Sequence, residues 1–432
     1  MRSQTISTKL QQIAKQAANY PDMVFTTLAH HIDVDFLYEA YRQNNRKSSP
    51  GIDKVTSKEY DENLELNLQN LHERLRKGLY KAPPVERVWI DKEGNKKRPI
   101  GKPTLEDKIV QRAVEMVLSA VYEQMFHDFS YGFRKGRSQH QAIKELMDQC
   151  WETRGGWIIS ADITGLFDNI NHGYLREIIK RRVNDGGIIR LIGKWLKAGV
   201  YENGSVSYPE SGTPQGGSIS PILSNIFLHH VLDDWFVNEV KPRMKGLTSM
   251  VRWADDFIII CEHEYDAIRL MEVMPKRFSR YGLSLHPEKS KVVSFKRPKP
   301  YVEKDDRNGT FDFLGFTFYW GKSLKGYWII RKKTARKRQS RFLKSCSSWC
   351  KANRHLSMSE QHKALCQKLS GFYQYFGVQT NNRSLGTVFF KVEQSWRYWL
   401  GRRSHKGYVS YEKFDIIRKV YPLPQPRIVH NI

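Results

Sequence analysis

Two acidic positions in this 432-residue chain stand where chemistry can be done: Asp162 closes the apolar run WIISAD, and Asp255-Asp256 interrupts VRWADDFIII. The flanking residues are β-branched and aromatic, so each acidic position falls at the end of a strand. Carboxylates gathered in a half-buried place repel one another and raise each other's pKa, a cost that a bound divalent cation offsets. Strand alternation would turn Asp255 and Asp256 to opposite faces, whereas at the tip of a tight hairpin both can turn toward one ion. A sheet pairing the two strands would bring Asp162 beside Asp255. Such a carboxylate set suits two-metal phosphoryl transfer, with ions about 3.5 to 4 Å apart. A solvated turn is the plain alternative for Asp255-Asp256 taken alone.

Other residues of chemical interest lie on either side. Gln215 precedes Gly216-Gly217, where the lack of side chains lets the backbone come close to a bound group or simply makes a tight turn. Lys92 and Arg98 flank Glu93-Gly94-Asn95, and the planar fork of Arg suits two phosphate oxygens. In so basic a chain a single Lys or Arg is equally read as a solvated surface charge. Lys289 is a candidate general acid, with Lys291 near enough to compete for the role. Phe167, five residues past Asp162, is a core or a site residue.

The elements that must position these groups can be read from periodicity. Leu64, Leu68, Leu71 and Leu75 repeat at helical spacing over Leu64 to Leu79. VERVWIDKEGNKKRPIG alternates, breaks at Glu93-Gly94-Asn95 and resumes, which predicts a hairpin with basic residues on both strands. GWIISADITGLF, SMVRWADDFIIICE and SKVVSFKRP read as strands separated by helices such as DAIRLMEVMPKRFSRYG, so the middle of the chain is α+β. Residues 1–60 form an N-terminal extension with a turn at Ser48 to Asp53. Residues 61–320 form the main unit. A boundary is expected near Gly321, followed by a helical unit over 321–400 and a short basic tail over 401–432. RKKTARKRQSRFLK, Arg331 to Lys344, carries eight basic residues and no acid, a plausible surface for tracking phosphates.

Composition narrows the class. The 40% apolar and 12% aromatic content supports a packed core, and no run approaches the about 18 to 20 apolar residues of a membrane span. With no secretory signal in MRSQTISTKLQQIAKQAANY, a cytoplasmic protein is expected. Five scattered cysteines form no C-x2-C pair and read as reduced and mostly buried. The net charge of +26 draws polyanions, so nucleic acid is the default partner; a basic membrane-surface protein is the competitor, without a lipidation motif to support it.

These residues together carry a resemblance. Asp162-Ile163 with Phe167, Thr213 to Pro221 (TPQGGSISP), Trp253-Ala254-Asp255-Asp256, Gly282 to Lys289 (GLSLHPEK) and Phe313-Leu314-Gly315-Phe316 resemble, in order, five motifs of reverse transcriptases. Arg98-Pro99-Ile100-Gly101 and Ser130-Tyr131-Gly132-Phe133-Arg134 resemble the fingers of the bacterial group II intron-encoded branch, and Leu369 to Phe376 (LSGFYQYF) its thumb, also called domain X. The resemblance implies a right-hand polymerase with fingers, palm and a helical thumb. It implies two Mg2+ ions held by Asp162, Asp255, Asp256 and the backbone of Ile163, with Lys289 as general acid. Lys92, Arg98, Gln215, Gly216 and the Ile163 backbone would contact the incoming dNTP, and Phe167 would be the gate against a 2′-hydroxyl. The implied partners are group II intron RNA, an RNA template and a DNA primer or target. Trp253 departs from the family's usual Tyr, which bears on fidelity and processivity. The stretch Gly401 to Ile432 lacks the cysteine- and histidine-rich nuclease domain of many relatives, so priming from nicks or replication forks is expected.

Three functions follow from this reading. The first is a polymerase that copies intron RNA and aids its splicing as a maturase. A splicing factor with a silent polymerase site is the second, against which the retained Asp162, Asp255, Asp256 and Gln215 argue. The third is a group II-like reverse transcriptase recruited to host defence or DNA repair, which the flanking DNA would distinguish.

Overall fold

The leucine stripe winds into the helix Leu64–Arg76, whose Leu68 and Leu71 are fully buried. A computed structural model describes residues 2–91, 97–202, 204–208, 211–212, 216–299, 309–404 and 407–432. Among them the strands run in chain order β1 (Val85–Asp91), β2 (Lys97–Lys102), β3 (Trp157–Asp162), β4 (Val200–Glu202), β5 (Ser205–Ser207), β6 (Thr248–Trp253), β7 (Asp256–Cys261), β8 (Lys291–Ser294), β9 (Phe311–Phe313), β10 (Phe316–Lys322) and β11 (Trp328–Thr334). They form three sheets, in the orders β2-β1-β4-β5, β6-β7-β3-β8 and β11-β10-β9. With helices packed around mixed sheets the chain is α+β.

The central sheet β6-β7-β3-β8 is antiparallel throughout and buried on both faces. Alternation sorts its side chains. Ile159, Ala161, Phe257 and Ile259 enter a core shared with the helix Leu105–Tyr122, while Ile158, Ile258 and Ile260 enter another, shared with the helix Gln139–Glu152 and with Phe311, Phe316 and Phe318. Full burial of such a side chain contributes about 1.5–3 kcal/mol, and a one-residue slip would exchange the two faces, so the register at Asp162 is held by the whole sheet.

Three expected limits meet the structure differently. Residues 1–60 do not stand apart: Ile6, Ile13 and Ala17 of the helix Arg2–Asn19, and Phe36 and Leu37 of the helix Val34–Gln43, lie in the same core as the helix Leu105–Tyr122. Gly321 falls inside β10, paired with Ile329 of β11, so the change in composition there lies within a hairpin. The basic run is therefore divided. Lys332 on β11 is buried, and burial lowers its pKa to about 8, whereas Arg336, Lys337, Arg338, Arg341 and Lys344 face solvent from the helix Arg336–Ala352.

The helices Arg336–Ala352, Met358–Phe376 and Asn382–Leu400 form a third core around Tyr373 and Trp396. The expected tail joins it, because the helix Tyr411–Val420 buries Phe414 there and Leu423 follows. Of the aromatic residues in this unit Tyr398 is half-exposed, with the Arg402 guanidinium 3.5 Å above its ring. The five cysteines are unbridged, four of them buried. No helix among the described residues is long and apolar enough to cross a membrane.

Candidate active site

The acidic residues meet at one end of the central sheet. β6 and β7 are joined by the two residues Ala254-Asp255, with Trp253 opposite Asp256. A turn this short needs a left-handed residue, and Ala254 provides it at φ 55°. β3 lies beside β7 with Asp162 opposite Asp256. The expected neighbour was Asp255; the tight turn lifts Asp255 out of the ladder and leaves Asp256 in register. Beyond β3, Thr164 N–H donates to Ser284 O at 2.9 Å and His286 N–H to Asp162 O at 2.8 Å. Ile163 thus faces Leu285 in a pair without mutual hydrogen bonds, and its own C=O points away from that neighbour.

Charge is poorly balanced among these groups. Burial pushes the Asp256 carboxyl up to about 7, and the charges of Asp162 and Asp255 add to the effect, opposed by Lys289 and by a hydrogen bond from Leu314 N–H. Burial also raises Asp255, with Asp162 adding and the residue's own N–H, Arg98 and Lys289 opposing. Lys289 Nζ donates to Asp162 Oδ2 at 2.5 Å. The oxygens of the three carboxylates do not all come within 4.8 Å of one another. An all-oxygen set short of positive charge fits hard divalent cations such as Mg2+.

The hairpin is held from two sides, by the SYGFR segment with Arg252 and by the turn at Leu314-Gly315. Gly132 lies so close to the turn that a Cβ there would sit 2.4 Å from Ala254 N, which explains the glycine in SYGFR. Tyr131 N–H donates to Arg252 O at 2.9 Å and Arg252 N–H to Phe129 O at 2.8 Å. Arg252, fully buried on β6, spends its N–H groups on Asp233 (2.8 and 2.5 Å), Ser130 Oγ (2.7 Å), Asn225 Oδ1 (3.2 Å) and Ala254 O (3.0 Å). A charged residue inside the apolar run SMVRW was the signal that could have found it. On the other side, Leu314 at φ 48° and Gly315 at φ 81° turn β9 into β10 and aim the Leu314 N–H at Asp256. The C=O of Leu314 accepts from Tyr375 Oη at 2.7 Å, a link across 61 residues with no sequence signal.

The remaining candidates are placed as follows. Arg98 is exposed on β2, near enough for its charge to act on Asp255. Phe167 is half-buried in the short helix Leu166–Asn169, whose core position is taken by Leu166. Gly216, at φ 108°, lies against β2: a Cβ there would meet Gly101 O at 2.3 Å, so its missing side chain serves this packing. Lys291 pairs with Ser160 in the sheet, and Lys289 holds the contact with Asp162. Lys92 and Gln215 lie outside the described residues.

Similarity to known proteins points to a family. Residues 90–318 match the family described as reverse transcriptase (RNA-dependent DNA polymerase). Protein YkfC of Escherichia coli K12 is 33% identical over 356 residues, which cover 74% of this chain and 90% of YkfC. Group II intron-encoded protein LtrA of Lactococcus lactis subsp. cremoris is 34% identical over 305 residues, 67% of this chain and 50% of LtrA. Nuclear intron maturase 3, mitochondrial, of Arabidopsis thaliana is 28% identical over 156 residues, 36% of this chain and 21% of that protein. The chain thus spans most of YkfC and half of LtrA.

Proposed function

Because this chain belongs to the reverse transcriptase family of RNA-dependent DNA polymerases, of the group II intron-encoded kind, we propose that it copies intron RNA into DNA and binds that RNA as a maturase in splicing and retrohoming. The observation that carries the reading is the set of partly uncompensated carboxylates where β3 ends beside the β6-β7 turn. The hand then has β1, β2 and the helices around them as fingers, the central sheet as palm, and the helical unit from Arg336 as thumb.

Asp162, Asp255, Asp256 and the C=O of Ile163 would hold two Mg2+ ions. When bound, these would activate the primer 3′-hydroxyl and neutralise charge on the departing pyrophosphate. Lys289 Nζ, beside Asp162, would hold the proton that the pyrophosphate takes up. Arg98, with Lys92 and Gln215 from the adjoining segments, would bind the dNTP, its planar fork on the phosphates. The Phe167 ring, left out of the core, would exclude a 2′-hydroxyl. The solvent-facing Arg and Lys of the helix Arg336–Ala352 would track the phosphates of template and intron RNA. A cytoplasmic place suits a protein that meets transcripts there.

Primer extension on an RNA template with Mg2+ and dNTPs tests the reading. The wild type is expected to extend and Asp255→Ala to lose at least about 100- to 1,000-fold, a size typical of losing a group that holds developing charge. RNA binding should stay nearly unchanged, since little basic surface is removed. Wild-type protein that binds RNA without extending a primer would leave only the maturase half of the proposal.

A further inference from the structure

Outside the carboxylate site, a second group of ligand atoms converges. His127 Nε2 lies 3.0 Å from Asp234 Oδ1, His229 Nε2 lies 3.5 Å from the same oxygen, and all the candidate ligand atoms fall within 4.8 Å of one another. We propose that His127, His229 and Asp234 form a zinc site that ties the loop before Ser130-Arg134 to the helical segment after Leu228. Two ligands about 2.0–2.1 Å from a tetrahedral zinc lie about 3.3 Å apart, so the two separations, the shorter of them a His127–Asp234 hydrogen bond in the absence of metal, are close to those of ligands around an ion. Two imidazoles and one carboxylate select zinc over Mg2+, which prefers oxygen alone.

The backbone supplies an independent reason. Residues His229–Asp233 form a π-turn, in which Asp234 N–H donates to His229 O five residues back. In an α-helix, residues five apart point about 140° away from each other, since each residue turns about 100°. The wider π-turn brings them to the same side, and such turns concentrate at functional sites. This turn places His229 and Asp234 together, and His127 arrives from another segment of the chain.

Exposure and surroundings suit a bound ion. The His229 side chain is buried, while His127 and Asp234 remain 28% and 36% exposed, which leaves a side open to water as fourth ligand. Histidine ligands of metals commonly direct their other ring nitrogen at a carboxylate. His229 Nδ1 is buried without a hydrogen-bond partner, and Asp233 Oδ2 stands 3.9 Å from it, fixed by Arg252. Through Asp233 and Arg252 the site would brace the strand that ends at Trp253.

The test uses full-length protein with its affinity tag removed, stripped with chelator and equilibrated with Zn2+ in excess Mg2+. Metal analysis should find about one zinc per chain, Co2+ in its place should give a visible absorption band, and zinc should raise the melting temperature by a few degrees. His127→Ala and Asp234→Asn should each lose the ion and the thermal shift, while Asp255→Ala keeps both. Circular dichroism identifies folded variants, and either one decides the matter if the other misfolds. A wild type that holds no zinc, or folded variants that hold as much as wild type, would overturn the proposal.

Discussion

Four residues apart on one hairpin, Arg252 and Asp256 bury charge in opposite ways. Arg252 meets an opposite charge in Asp233 and an acceptor for every N–H it carries. Asp256 has two like charges nearby and a carboxyl held near neutrality. A buried charge kept only for architecture must be compensated within the fold. One left uncompensated stores an unfavourable interaction that an incoming cation relieves, and such imbalance marks a functional site. Substitutions test the contrast between a completed charge and an open one.

The largest effect should come from opening the completed pair. Arg252→Met leaves Asp233 buried and alone, and should lower the unfolding free energy by about 3–5 kcal/mol, measured in denaturant. Adding Asp233→Leu should restore most of that loss; no recovery would mean that Arg252 acts mainly through Ser130, Asn225 and Ala254. Next comes Lys289→Met, which should slow primer extension by about 100-fold while primer and template stay bound. If Lys291→Met gave that result instead, the proton would belong to Lys291.

The smallest effect should run in the opposite direction. Asp256 sits at about 7 in the fold against 3.8 in an open chain, so between those values the folded form keeps a proton that the unfolded form has lost. Stability therefore falls as pH rises through that window and levels off above it. Asp256→Asn removes the penalty: without metal it should gain about 1–2 kcal/mol at pH 8, less than the about 4 kcal/mol of three pH units because the surroundings relax. Thermal melts at pH 5 and pH 8 should show the gain shrinking at the lower value. A gain equal at both would place its origin in packing.

The carboxylates were legible because two apolar strands end in acid, and the strand pattern located β3, β6 and β7 well enough to pair them. Their register was not, since the turn depends on Ala254 in a left-handed conformation that sequences normally signal with Gly or Asn. Compensation was also hidden: Arg252 and Asp233 are 19 residues apart, and Tyr375 reaches Leu314 across 61. Charge pattern misled the reading at Gly321, because a strand alternates its faces and Lys332 points inward from a run that looks uniformly exposed. The amphipathic helices before residue 60 could have been assigned to the main core by the apolar stripe of Ile6, Ile13 and Ala17.

Leu314 has a mechanical consequence. Its N–H faces Asp256 and its C=O accepts from Tyr375 Oη, so the two peptide planes that meet at its Cα link the site to the helix Met358–Phe376. The joint between those planes is a left-handed residue at φ 48°, a narrow well in which neither plane turns far without disturbing the other. Any swing of the helical unit about the central sheet is thereby geared to the aim of a single carboxylate, and the grip on nucleic acid and the readiness of the site become two readings of one dial.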